Sequence, residues 1–109
     1  MKGGITGKIL WVNLATGTHE VLEPAKDLYQ QYLGGYGIGV KLIYEKQKPG
    51  LPPLSPENIL GFATGPLTGT PAISSSRYTV MGKSPLTGTW GDANSGGFFG
   101  PALKRAGFD

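Results

Sequence analysis

The chain has 109 residues with no cysteine, 19 glycines and 9 prolines, and ten basic against seven acidic side chains give it a formal net charge of +3. That length suits one domain with a modest core, and the lack of cysteine excludes a disulfide frame, a zinc knuckle, a thiolate nucleophile or a thiolate-held iron–sulfur cluster within it. No apolar run approaches the roughly 20 residues of a membrane helix, the opening Met1-Lys2-Gly3-Gly4 lacks the apolar core of a signal peptide, and the basic groups are too scattered for a nucleic-acid face; the expectation is a cytoplasmic protein that binds neither membrane nor nucleic acid.

In chain order, residues 8–14 alternate so that Leu10, Val12 and Leu14 share one side of a strand; Ala15-Thr16-Gly17-Thr18 then turns the chain into His19-Glu20-Val21-Leu22, a β-hairpin. Pro24 opens a helix in which Ala25, Leu28, Tyr29, Tyr32 and Leu33 recur at helical spacing until Gly34 and Gly35 stop it. A second helix over 38–47 offers Val40, Ile43 and Tyr44 as its core stripe and cannot pass the residue before Pro49. Residues 49–56 read as a stiff, extended connector. Residues 58–64 and 77–81 read as strands, each ahead of one copy of Pro-Leu-Thr-Gly-Thr, at 66–70 and again at 85–89. Two copies are too few for a solenoid, so they read as two strand-then-turn units of one sheet. A short helix over 98–106 follows, closed by Gly107, with Lys104 and Arg105 where the helix dipole favours cations. With only Phe108 and Asp109 after it, the chain reads as cut before a further strand. The elements add up to an α+β fold: an antiparallel β-sheet platform with short helices.

Charge is distributed unevenly. Residues 58–103 carry only Arg77, Lys83 and Asp92, three charges in 46 residues, where about a quarter would be usual. Such a stretch faces a partner or the rest of a longer chain, lines a site where backbone meets ligand, or is simply a turn-rich sheet. The cluster Leu33-Gly34-Gly35-Tyr36-Gly37-Ile38-Gly39 fails as a dinucleotide fingerprint, because a helix rather than a strand precedes it and Val40 stands where the third glycine belongs. Gly82-Lys83-Ser84 fails as a P-loop end, since Arg77 occupies the place of its first glycine. His19 has only Glu20 as an acidic neighbour, on the other face of a strand, so it is a surface residue and not a general acid or base. No triad, carboxylate pair or metal-ligand spacing is present, and no catalysis is expected from the chain alone.

The strongest local signal is Asp92-Ala93-Asn94-Ser95-Gly96-Gly97 ahead of the last helix. Small residues admit a ligand to the backbone, and free N–H groups at a helix start favour an anion; Asn94 or Ser95 serves equally well as an ordinary N-cap. Arg77, a lone guanidinium beside Ser74-Ser75-Ser76, has the fork geometry for a phosphate or a polar heterocycle edge.

Taken together, Leu54-Ser55-Pro56-Glu57-Asn58, Ala63-Thr64-Gly65-Pro66-Leu67-Thr68-Gly69-Thr70, Arg77-Tyr78-Thr79-Val80, Lys83-Ser84-Pro85-Leu86-Thr87-Gly88, Asn94-Ser95-Gly96-Gly97 with Phe99-Gly100, and Leu103-Lys104 with Ala106-Gly107 resemble the N-terminal region of the tungsten-containing aldehyde ferredoxin oxidoreductase family. Gly7-Lys8-Ile9-Leu10, Val12-Asn13-Leu14 and Leu33-Gly34-Gly35 fit as well, so the resemblance covers nearly the whole chain. It implies that residues 1–109 are the opening, cofactor-platform domain of a longer enzyme that oxidises aldehydes to carboxylic acids with ferredoxin as electron acceptor. It further implies a tungsten bis-pterin (tungstopterin) whose phosphates are bridged by magnesium, with Arg77, Asn94 and Gly96 as cofactor contacts and the Asn94 backbone carbonyl at the magnesium. The 4Fe-4S cluster and the acid–base residues would belong to later domains, which would also be this chain's immediate partners. Tyr36 stands where many relatives carry arginine, and Ser75 and Ser76 where many carry glycine. Substrate choice is not set by these positions, so formaldehyde, aromatic aldehydes or an acyl thioester are all compatible with them. Two other classes stand beside this reading: a stand-alone phosphate- or nucleotide-binding module, and a structural interaction domain.

Overall fold

A computed structural model describes residues 4–109; residues 1–3, part of the opening considered above for a leader, lie outside the described residues. Strands β1 (Ile9–Asn13) and β2 (Thr18–Leu22) form the expected hairpin, with Ile9 opposite Leu22 and Asn13 opposite Thr18. Gly17 takes a positive φ of 68° in the turn, and the Asn13 side-chain oxygen accepts the Ala15 N–H at 3.0 Å. Register puts Leu10, Val12, Val21 and His19 on one face and Ile9, Trp11 and Leu22 on the other. The face that Leu10 and Val12 share is largely open: both are exposed, and Leu14, past the strand's end, is 91% exposed. The other face carries the tertiary contact, with the Lys46 ammonium 4.8 Å from the centre of the Trp11 ring.

Helix α1 (Lys26–Tyr32) ends at Leu33, and α2 (Tyr36–Lys46) follows after a two-glycine corner whose Gly35 N–H donates to the Thr64 carbonyl at 3.0 Å. The expected stripe of α2 holds only at Ile43. Val40 is exposed and Tyr44 is 85% exposed, while Ile38 and Gly39 are buried. Gly39 is the reason: a Cβ there would lie 1.8 Å from the sulfur of Met81, itself 1% exposed. The helix therefore lays bare backbone on the sheet, and large side chains one and five positions later turn outward. At Gly37 a Cβ would meet the Tyr32 carbonyl at 2.2 Å, so the glycines of this cluster serve close packing and not a dinucleotide.

The second sheet has the order β3 (Leu60–Thr64), β4 (Tyr78–Lys83) and β5 (Trp90–Ser95), all antiparallel. The first two strands and both pentapeptide turns stand where expected. Residues 90–95, to which the sequence assigns no element, form a third strand, paired from Lys83 opposite Trp90 to Tyr78 opposite Ser95. The turn at 85–89 returns the chain beside β4, and ladder pairing overrides the poor strand propensity of Gly91, Asp92 and Asn94. One face of this sheet packs Ala63 and Met81 against Ile43, with Ile59 at the margin, as the core. On the opposite face, α3 (Phe99–Arg105) sets the Phe99 ring 5.7 Å from Phe62 and 4.7 Å from Tyr78. The connector before β3 is not extended. It folds back in turns that bury Leu51, with the Asn58 amide donating to the Pro53 carbonyl at 2.7 Å and the Lys83 ammonium to the Leu51 carbonyl at 2.6 Å.

Asp109 joins these pieces. Its carboxylate accepts the N–H groups of Thr6 and Gly7 at 3.0 and 2.6 Å and the Lys104 ammonium at 2.6 Å. Its backbone N–H donates to the Lys8 carbonyl at 2.9 Å, and its carbonyl accepts the Thr64 N–H at 2.7 Å. Burial alone would raise the Asp109 pKa, but the Lys104 ammonium and the two N–H donors outweigh it and hold the carboxyl below its ordinary value. The buried Tyr29 hydroxyl, which has no hydrogen-bond partner of good geometry among the described residues, has its pKa pushed up by burial first and by the Asp109 charge second.

Two outcomes follow from this packing. Gly39→Ala is expected to lower stability by about 1–3 kcal/mol through overpacking on Met81, read as a lower urea midpoint with unchanged slope. Because the folded pKa of Asp109 is depressed, its stabilisation is present above the unfolded carboxylate value of about 3.9 and disappears as pH falls through the lower folded value. Urea midpoints measured downward from neutral pH should fall in that window for the native chain. Asp109→Asn should lose about 3 kcal/mol at neutral pH by leaving Lys104 unpaired, and should lack that acid step.

Candidate functional site

Arg77 immediately precedes β4, and Asn94 lies in β5 opposite Thr79. Antiparallel register thereby brings together two residues 17 apart in sequence, and the Arg77 guanidinium donates to the Asn94 side-chain oxygen at 2.6 Å with both side chains exposed. Continuing the register by one step puts Gly96 across from Arg77. A Cβ at Gly96 would lie 3.4 Å from the Ser76 hydroxyl oxygen, which also accepts the Gly97 N–H at 3.4 Å. Gly97 has a positive φ of 100°, which releases the chain from the ladder toward α3. The three residues singled out in the sequence thus form one cluster, with Ser76 as its fourth member.

The chemistry of the cluster is that of an anion acceptor. Arg77 spends one of its five N–H donors on Asn94 and keeps the rest available to solvent. The acidic residue on the same face of β5, Asp92, accepts the Trp90 indole N–H at 2.8 Å instead of pairing with the guanidinium. The end of α3 does not contribute in the way expected: its N-cap is Phe98, with no side-chain cap bond, so neither Asn94 nor Ser95 caps it. The positive charge comes from the Arg77 side chain, just ahead of β4. Ser76 was within reach of sequence reasoning, as a hydroxyl next to the lone arginine; its bond to Gly97 was not, because it depends on β5 being a strand.

Two depressions lie elsewhere on the surface. A groove of about 360 Å³ on the hairpin, lined by Leu10, Val12, His19, Val21 and Phe108, is apolar and shares no lining residue with the Arg77 cluster. A shallower one of about 350 Å³, lined in part by Ser74, Ser76, Pro101 and Arg105, shares Ser76 with the cluster. Among the described residues no three His, Cys, Asp or Glu side chains converge as a metal site, and no helix is long and apolar enough to cross a membrane.

The exposed Arg77–Asn94 contact does little for folding. Asn94→Ala and Arg77→Ala are each expected to change unfolding free energy by less than about 1 kcal/mol, measured by urea titration.

Comparison with known proteins bears on this surface. Residues 9–109 match the family profile described as the aldehyde ferredoxin oxidoreductase N-terminal domain. The tungsten-containing aldehyde ferredoxin oxidoreductases of Pyrococcus furiosus and Pyrococcus horikoshii are 48% and 49% identical over 106 residues, covering 97% of this chain and 18% of each relative. The chain therefore spans less than a fifth of the length of these relatives. Among solved structures, the BamBC active-site complex of benzoyl coenzyme A reductase bound to 1,5-dienoyl-CoA superposes with a TM-score of 0.95 and 39% identity, over all of this chain and 17% of that one. With a profile match from β1 to the final residue and nearly half of the residues shared, the chain belongs to the aldehyde ferredoxin oxidoreductase family and corresponds to its N-terminal domain.

Proposed function

We propose that this chain seats a tungstopterin in a cytoplasmic oxidoreductase that converts aldehydes to carboxylic acids and passes the electrons to ferredoxin. The observation that carries the reading is the Arg77–Asn94 contact beside Gly96 and Ser76: a cation with no acidic partner among the described residues, an amide, a hydroxyl and a glycine backbone on one exposed patch. That donor set fits the phosphate-bearing end of a pterin cofactor, because a guanidinium binds phosphate through paired N–H bonds and a residue without a side chain admits the ligand to the backbone.

In this reading Arg77 would hold a phosphate, Asn94 would orient the guanidinium through its side-chain oxygen and offer its backbone carbonyl to a magnesium ion, and Gly96 would keep the approach open. The bound tungsten would supply the two-electron redox chemistry that takes an aldehyde and water to an acid. The chain itself binds and orients; with no cysteine it cannot hold the 4Fe-4S cluster, which falls to other parts of the enzyme. Exposed apolar residues on both sheets, among them Leu10, Val12, Leu60 and Phe62, are suited to contact with those parts. The same backbone occurs in the benzoyl coenzyme A reductase complex bound to 1,5-dienoyl-CoA, so substrate choice is assigned to parts of the enzyme outside this chain. The higher identity to the tungsten-containing aldehyde enzymes favours an aldehyde here.

In the holoenzyme containing this chain, Arg77→Ala should lower tungsten and pterin per folded chain on the order of tenfold, measured by elemental analysis and by fluorescence of the released pterin. Wild-type loading in that variant would remove Arg77 from the site.

A further inference from the structure

The two Pro-Leu-Thr-Gly-Thr segments are identical in sequence, and both put their glycine at positive φ, 75° at Gly69 and 70° at Gly88. Their third residues are used differently. Thr87 is exposed and bonds only within its own turn, its N–H to the Ser84 hydroxyl and its hydroxyl to that of Thr89. Thr68 is 4% exposed, and its hydroxyl bridges two segments, accepting the Gly65 N–H at 3.1 Å and donating to the carbonyl of Arg77 at 2.7 Å.

The neighbouring contacts bind the same strip of backbone. The Gly69 N–H donates to the Ser75 carbonyl at 2.8 Å, and the Ser75 hydroxyl donates to the Thr70 carbonyl at 2.7 Å. Across this strip, Gly100 of α3 passes so close that a Cβ would meet the Ser76 carbonyl at 2.9 Å and the Thr68 methyl at 3.1 Å. Residues 74–77 are thus held from one side by the first turn and from the other by the helix. The Arg77 side chain is exposed and, among the described residues, is held by its bond to Asn94, so the backbone at Arg77 sets the point from which the guanidinium reaches that partner.

We infer that Thr68 is a positioning residue for Arg77: its buried hydroxyl fixes the carbonyl from which the guanidinium is aimed, a task its sequence twin Thr87 does not share. This rests on the reading that Arg77 holds a cofactor phosphate. The two turns supply an internal control, because the same substitution in the same five-residue sequence is wired to the site in one copy and not in the other.

The test uses the holoenzyme containing this chain, with pterin and tungsten measured per folded chain, so that a loss of stability by itself does not register. Thr68→Val keeps shape and removes the hydroxyl; it should lower both contents on the order of tenfold, Thr68→Ser should restore them, and Thr87→Val should leave them at the wild-type level. Wild-type loading in Thr68→Val, with reduced loading in Arg77→Ala, would overturn the inference and leave the reading of Arg77 intact. Wild-type loading in both would overturn the reading and the inference with it. Should Thr68→Val not fold, Thr68→Cys, with its weak S–H donor, decides by the same ratio: reduced loading supports the assignment and wild-type loading overturns it.

Discussion

The buried carboxylate of Asp109 is the constraint on which the arrangement of this chain depends. A two-stranded hairpin is marginal in water, and here it is joined to the three-stranded sheet by a residue whose backbone reaches Lys8 on one side and Thr64 on the other. The side chain then gathers two backbone N–H groups and the Lys104 ammonium, which also donates to the Gly4 carbonyl at 2.6 Å. Taking both charges out of water is costly, and the pair is tolerable because the carboxylate's lone pairs are met by donors of good geometry. One group thus couples the N-terminal segment, β3 and α3, while the Arg77 cluster lies on the neighbouring β4 and β5.

The sparse charge of residues 58–103 has a structural explanation in two parts. Much of the stretch is backbone packed on backbone or buried hydroxyl, as at Thr64, Thr68, Thr79 and Gly100, where a charged side chain would have neither room nor a counterion. Residues 92–97 are exposed and short, and across from them Arg77 stands with Asn94 in place of an acid. Among the described residues Arg77 makes no salt bridge, and a cation that no carboxylate neutralises keeps its N–H donors open to an anion.

Gly39 shows how glycine can mislead a periodicity argument. A hydrophobic stripe assumes that the contact face of a helix is its apolar side chains, which selects Val40, Ile43 and Tyr44. In the fold the contact face is centred on the residue with no side chain, because that is where Met81 fits, and Val40 and Tyr44 rotate to solvent. The same logic applies to the hairpin: alternation identified Leu10 and Val12 as one face, correctly, but nothing local says which of two apolar faces receives the rest of the chain.

Local chemistry determined the hairpin turn at 15–18, the end of α1 at its paired glycines, strands β3 and β4, the two repeated turns and the short last helix, since each depends on residues a few positions apart. The ordered motifs likewise determined the family and, through it, the candidates Arg77, Asn94 and Gly96. Only tertiary structure decided that residues 90–95 form a strand, that the connector before β3 folds back on itself, that α2 packs through Gly39, and that Thr68 and Thr87, in identical surroundings along the chain, have different neighbours. Each of these turns on contacts with segments distant in sequence, and a side chain's partners across such distances are set by packing and register, which no short window of residues encodes.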